Sequence, residues 1–276
     1  MNLEQVLFEK ILPRVGRAAR YLGTEWNSVH KDWDAVPVRM AFAFPDLYEV
    51  GMSHLGLQIL YSLVNDREGF LMERVFAPAA DMEQELRGAG LPLFSLESHH
   101  SLKDFDVIGF TLQYELSFTN IINMLDLAGI PLRSENRSDN HPLIIAGGPV
   151  AFNPEPLAPF IDAFVIGEGE ECILEILEAV GEVKGNCPRA SRSDLMERLV
   201  EIPGIYIPSY YRPEYTGDGR IKEIVPLHPK APERVQRRVI SDLDAAYYPL
   251  SPLVPLAEAV HERGMLEVFR GCTRGC

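Results

Sequence analysis

The chain has 276 residues, enough for one large domain or two smaller ones, and its 46% apolar and 24% charged residues are the balance of an ordinary globular protein. A formal net charge of −14 leaves this segment without the basic face that gripping a nucleic acid requires. No apolar run is long enough to cross a membrane, and Glu4 and Glu9 stand where a secretory signal would be apolar. The four cysteines, Cys172, Cys187, Cys272 and Cys276, form no disulfide framework. A cytoplasmic location is expected.

Residues 1–37 read as an N-terminal helical extension. Leu3, Val6, Leu7 and Ile11 share one helical face, Pro13 kinks or ends it, and Arg14, Arg17 and Arg20 form a stripe expected to face solvent. From residue 38 to 184 strands and helices alternate. Val38–Phe44, a short strand Arg74–Phe76, Asp106–Phe110, Pro142–Ala146 and Ala163–Ile166 are the strands. His54–Val64, a helix capped by Asp81, Leu116–Leu127 and a final helix burying Ile173, Ile176, Leu177 and Val180 lie between or after them. Cys172 falls in this last helix as a core residue. The run Pro142–Ala146 is almost continuously apolar, as expected of a strand inside a parallel sheet. Five strands alternating with helices predict an open, doubly wound, parallel α/β sheet. Right-handed crossovers then place every strand's C-terminal end on one edge, where ligands of such sheets bind.

Residues 185–256 differ. Ile205-Tyr206-Ile207 and Tyr210-Tyr211, the turn Gly217-Asp218-Gly219 and Ile221–Val225 predict a β-hairpin. Prolines 226, 229, 232, 249, 252 and 255 then mark an extended linker. Within residues 257–276, Leu266–Phe269 reads as the first strand of a new unit. Cys187, in a Gly-Asn-Cys-Pro turn, carries no evident role.

Four loops end the strands on the ligand edge. They contribute Tyr48, Gly51, Met52 and Ser53; then Thr111, Gln113, Tyr114 and Glu115; then Gly147, Gly148 and Pro149; then Gly167, Gly169 and Glu170. Glycines admit close approach of the backbone to a large flat ligand, and helix N-termini offer free N–H groups. Each loop alone reads equally as a tight turn; it is their order along one edge that signals a site. Glu168 and Glu170 also read as paired acids, or Glu170 simply as a charge favourable to the helix dipole. His99 and His100 read as loop residues. At the chain's end, Arg270-Gly271-Cys272-Thr273-Arg274-Gly275-Cys276 sets two thiols in a C-x3-C spacing. Two such thiols alone fit half a zinc site as well as part of an iron–sulfur site.

Taken together, Pro45-Asp46-Leu47-Tyr48-Glu49-Val50-Gly51-Met52-Ser53-His54-Leu55-Gly56, Ala146-Gly147-Gly148-Pro149, Gly167-Glu168-Gly169-Glu170 and the terminal C-x3-C resemble the N-terminal part of B12-type radical S-adenosylmethionine (radical SAM) proteins. The stretch Pro13–Gly23, Asn153-Pro154-Glu155-Pro156 and Val260-His261-Glu262-Arg263 resemble, more narrowly, an uncharacterised subfamily associated with DUF2344-type domains, which implies such a domain as a partner. The resemblance spans nearly the whole chain. It implies a cobalamin-binding, flavodoxin-like domain over 38–184 and the start of a truncated radical SAM (β/α) barrel over 257–276. It also implies a 4Fe–4S cluster held by Cys272, Cys276 and a third cysteine expected three residues further on, with SAM on the open iron. Cobalamin, where bound, would sit in the four loops and serve methyl transfer to an unactivated carbon. On this reading the 276 residues alone are expected to be inactive. Residues 52–56 depart from the D-x-H-x-x-G pattern whose histidine ligates cobalt in mutase-type domains, so His54 is read as a helix-start residue. The alternative is a non-catalytic α/β module that binds a nucleotide, a flavin or a protein partner on the same edge.

Overall fold

In a computed structural model, residues 3–186, 191–261, 263–271 and 273–274 are described. Cys187, Cys272 and Cys276 lie outside them. The regular elements in chain order are β1 (Val38–Phe44), α1 (Leu55–Asn65), β2 (Phe70–Phe76), α2 (Ala80–Ala89), β3 (Val107–Thr111), α3 (Phe118–Leu127), β4 (Leu143–Gly147), β5 (Ala163–Val165), α4 (Glu170–Asn186), α5 (Arg192–Leu199), β6 (Ile205–Tyr206), β7 (Tyr211–Tyr215) and β8 (Ile221–Pro226).

The main sheet has six strands in the order β2-β1-β3-β4-β5-β6. The first five are parallel and β6 runs antiparallel beside β5. The period of two along β1 shows how the sheet divides the core. Val38, Met40, Phe42 and Phe44 pack on one face with α1, α4 and α5. Ala41 and Ala43 turn to the other face, with α2, α3 and the N-terminal extension. Because β1 pairs with both β2 and β3, the chain winds outward from it in two directions, and the switch point lies at the C-terminal ends of β1 and β3.

Several expectations are corrected. There are six sheet strands rather than five. Ile205–Tyr206 joins the main sheet instead of the hairpin, because its two side chains serve opposite cores: Ile205 is buried on the α1/α4 side and Tyr206 on the α2/α3 side. The hairpin is β7–β8 alone. Strand β2 starts at Phe70, four residues earlier than its pattern suggests. The charged Glu73 hides its first half from a hydropathy reading, yet Glu73 and Arg74 are both buried. Helix α2 is preceded by Ala79 at its N-cap, while Asp81 accepts the backbone N–H of Gly16 at 2.7 Å. Residues 263–271 form no strand: they are irregular, with no neighbouring strand to complete a ladder.

The N-terminal extension is short helical turns rather than one helix, and it is part of the core. Leu7, Ile11 and Leu12 are buried against the sheet. Its arginines are not a free stripe: Arg17 and Arg20 both reach Glu49 at 2.7 Å, and Arg14 reaches Glu85. The proline-rich stretch is likewise docked. Leu253 exchanges hydrogen bonds with the Gln58 side chain, Val254 N–H donates to Trp26 O, and Leu256 N–H donates to the Tyr48 hydroxyl. Among the described residues no helix is long and apolar enough to cross a membrane.

Candidate functional site

A cavity of about 630 Å³ opens at the C-terminal edge of the sheet and runs down between its α1/α4 face and those helices. Its floor is Met40 and Phe42 of β1, Gly109 of β3, Ile145 of β4 and Val165 of β5; its far wall is Gly56, Ile59 and Leu60 of α1 and Ile173 of α4. Phe42, Gly109 and Ile145 stand side by side in register. A row of large side chains would normally fill such a layer to close packing. Gly109 breaks the row, and a Cβ built there would run into the Met40 methyl group. That methyl group takes the room a side chain at 109 would need, so Met40 and Gly109 together form this part of the floor.

The rim is built from the loops singled out by the sequence. Ser53, Thr111, Gln113, Gly147, Gly148, Pro149, Gly167, Gly169 and Glu170 all line the cavity. Two glycines fix the rim by backbone geometry. Gly148 has φ +112° and a Cβ there would lie 2.8 Å from Leu112 O; Gly167 has φ +111° and lies against the backbone of Arg238. Both conformations strain an L side chain. The loops after β3 and β4 are thereby joined, Leu112 N–H donating to Gly147 O at 2.6 Å and Val150 N–H to Leu112 O at 3.2 Å.

The other five loop residues lie elsewhere. Tyr48 is 1% exposed and supports the docked linker through its hydroxyl. Gly51 lies against the Phe76 ring. Met52 is buried with its sulfur 3.1 Å from Arg74 Nη1. Tyr114 points away from the slot and donates to Asp46 Oδ2 at 2.7 Å, and Glu115 is exposed beside it. The loop after β1 turns into a short helix, Tyr48–Gly51, whose Tyr48 and Gly51 face the core, so only its end reaches the ligand edge.

Residues that sequence reasoning missed are mostly apolar and line the slot's depth. Nothing in a hydropathy pattern separates a floor residue from a core residue. Gly109, a glycine inside an otherwise bulky strand, was the available signal.

His54 lines the cavity, and its chemistry follows from its position. Its Nδ1 accepts the Leu57 N–H at 3.2 Å as the N-cap of α1. An imidazole that accepts at Nδ1 carries its proton on Nε2. Gln113 lines the cavity with the ring, and its Nε2 donates to Thr111 Oγ1 at 2.6 Å. Burial holds His54 below the ordinary imidazole range, partly offset by Gln113. His54, Gln113 and Thr111 thus form a polar strip on one side of an apolar slot.

At the mouth, Arg270 lies 2.5 Å from Glu170 and 2.8 Å from Glu267, with Glu168 at 3.8 Å. Met265, Glu267 and Arg270 complete the lining. A second cavity, about 750 Å³, lies beyond Leu55 and Met265, which both cavities share, and is walled by Gln58, Tyr248, Leu253 and Leu256. Among the described residues no three of His, Cys, Asp and Glu converge on a metal-sized space. Cys172 is fully buried and its thiol is pushed up to about 12 by burial, so it is an inert core residue. His99 faces Phe8 and Phe94 while His100 stacks on Trp33, so the adjacent rings do part.

An open, mainly parallel α/β sheet with a glycine-rimmed slot at its C-terminal edge is the arrangement in which doubly wound α/β domains hold ligands. The chain belongs to the family described as radical SAM proteins, N-terminal, whose model matches residues 56–208, more than half of its length. It is 24% identical over 163 residues to the uncharacterized protein MJ0966 of Methanocaldococcus jannaschii, covering 58% of this chain and 31% of that one. Two solved structures of the radical SAM methyltransferase TsrM from Kitasatospora setae are also similar. One, with tryptophan substrate and a SAM analogue bound, has a TM-score of 0.37 at 17% identity, over 66% of this chain and 29% of that one. The other, with cobalamin and a 4Fe–4S cluster bound, has a TM-score of 0.38 at 18% identity, over 70% and 31%. The chain spans about a third of the length of these relatives.

Proposed function

We propose that this chain is the N-terminal ligand-binding part of a cytoplasmic radical SAM enzyme and that its slot receives part of a cobalamin. The family match supports the first statement, and the apolar slot over Gly109 carries the second. The residues fit such a group. A flat heteroaromatic ring enters a slot with apolar walls at little desolvation cost, and peripheral amide groups find Ser53, Thr111, Gln113 and the backbone of Gly147–Pro149 at the rim. Because His54 holds its Nδ1 lone pair on α1 and its proton on Nε2, it serves as a wall and hydrogen-bond donor rather than a cobalt ligand. Cys272 and Cys276 are the proposed cluster ligands, thiolates being the preferred donors for iron–sulfur clusters. The cluster and SAM together supply a carbon-centred radical, and bound cobalamin a transferable methyl group. The chain's own contribution would be to hold the cofactor at the edge of the sheet and to keep water out of the slot. We assign residues 38–184 to the cofactor domain, with 1–37 and 185–256 packed around it and 257–276 leading into the catalytic part.

Titration of the 276-residue chain with hydroxocobalamin, FMN and ATP tests this. A saturable shift of the corrin absorbance, abolished by Gly109→Leu with the circular dichroism spectrum retained, is expected. Tight binding of FMN or ATP with none of cobalamin overturns it and leaves the binding-module alternative.

A further inference from the structure

The contacts of the segment 265–270 go beyond lining a cavity. Exposure alternates over its first four residues, Met265 and Glu267 lining the slot while Leu266 and Val268 are 83% and 78% exposed, and the exposed Phe269 then breaks the alternation so that Arg270 returns to the slot. Arg270 ends this run. Its guanidinium is bidentate on Glu267 within the segment, at 3.0 and 2.8 Å, and crosses to Glu170 on α4 at 2.5 Å. The Glu170 carboxylate is 11% exposed and the Arg270 side chain 20%, so this is a largely desolvated pair rather than a solvated surface contact. Glu168 adds a third carboxylate at 3.8 Å and is itself fixed by the backbone N–H of Ile240.

An arginine at a helix N-terminus opposes the helix dipole and stays only because carboxylates hold it. Glu170, by contrast, is stabilised at the first turn of α4 whether or not Arg270 is present. Release of Arg270 therefore leaves no charge stranded on the helix, and the contact can open and reclose. Upstream, the segment is anchored by His261 N–H on Ser53 Oγ at 3.0 Å and Val260 N–H on Glu49 O at 3.2 Å, both on the loop that reaches the ligand edge. The geometry is that of a strap fixed at one end and latched at the other, lying across the mouth of the slot.

We infer that Arg270 is a positioning residue: by latching onto Glu170 it holds the segment that runs into Cys272 across the cofactor slot, so that filling the slot and fixing the approach to the cluster cysteines are coupled. The coupling rests on the proposed function; the latch stands on geometry alone.

Trypsin reads the latch directly, because cleavage after Arg270 needs the guanidinium to leave its carboxylates. In the native chain Arg270–Gly271 should be cut at least about tenfold more slowly than Arg263–Gly264, whose arginine is exposed, since cleavage follows the open population. In a Glu170→Gln/Glu267→Gln variant the two rates should approach each other. Arg270→Lys, a point charge without the fork, should fall between. Equal rates in the native chain, or no acceleration in the variant, overturn the latch. Added hydroxocobalamin should slow cleavage after Arg270 further and leave the Arg263 site less affected. Corrin absorbance showing binding without that change overturns the coupling. Absence of any binding overturns the proposed function and with it the coupling, while the latch is still decided by the two cleavage rates.

Discussion

Removing the buried guanidinium of Arg74 should cost this protein a large share of its stability. Arg74 is 0% exposed and lies between two carboxylates that are also 0% exposed. Its Nε donates to Glu97 Oε1 at 2.6 Å, its Nη2 to Glu25 Oε2 at 2.6 Å, and its backbone N–H to Glu97 Oε2 at 2.8 Å. Coulombic attraction to these carboxylates outweighs the burial that alone would discharge it and raises its pKa. Arg74→Met keeps much of the volume but strands Glu25 and Glu97 in an apolar interior. Breaking one partner of such a group costs about 3–5 kcal/mol, against the ~5–15 kcal/mol that holds a typical protein folded. The loss corresponds to roughly 5–9 °C in Tm for a chain of this size. Glu25 belongs to the N-terminal extension, and both tryptophans, Trp26 and Trp33, lie there too. Urea unfolding followed by tryptophan fluorescence should therefore shift further than the same transition followed by far-UV circular dichroism. The triple variant Glu25→Gln/Arg74→Met/Glu97→Gln, which removes the charges together, should recover most of the loss. A loss below about 1 kcal/mol for Arg74→Met, or no recovery in the triple variant, would refute the reasoning, since the penalty is that of unpaired buried charge.

Four further outcomes are expected. Burial, reinforced by the nearby Glu97 carboxylate and opposed by hydrogen bonds from Ser95 and Ser98, pushes the Glu73 carboxyl up to about 7. The folded state then binds a proton that the unfolded chain has released, so stability falls as pH rises from the ordinary carboxylate range through about 7. Glu73→Gln should be close to neutral at pH 5 and stabilising at pH 8 in urea titrations; a pH-independent effect would count against it. Gly148→Ala, at φ +112° against Leu112, should destabilise by about 1–3 kcal/mol and weaken ligand binding, as measured by thermal melts and titration. Ser191→Ala removes one half of the reciprocal Ser191–Asp194 capping box of α5 and should cost about 1 kcal/mol in chemical denaturation. In iron- and sulfide-reconstituted protein that extends beyond Cys276, Cys272→Ala should remove the visible charge-transfer band of a 4Fe–4S cluster; an unchanged spectrum would refute its proposed role as a ligand.

The sequence by itself determined the alternation of strands and helices from residue 38 onward and the edge on which a ligand would sit. Both follow from local periodicity and from the handedness of crossovers, which need no tertiary contact to be read. The glycines at 147, 148, 167 and 169 were legible for the same reason: a rim that must approach a ligand or another backbone closely leaves its mark in residue type. Tertiary structure decided the rest. Strand β2 was foreshortened in the pattern because Glu73 looks like a solvent residue until Ser98, distant in sequence, arrives to pair it. Ile205–Tyr206 could be placed in the main sheet only once β5 was beside it. Tyr48, Gly51 and Met52 sit in the same loop as Ser53, yet a single helical turn sends them into the core while Ser53 reaches the slot. The slot itself arises between residues of four strands on one side and of two helices on the other, and Arg270 meets Glu170 across a hundred residues of chain. Periodicity reports which face of its own element a residue occupies; what that face meets is set by packing between elements, and there the cavity and its latch arise.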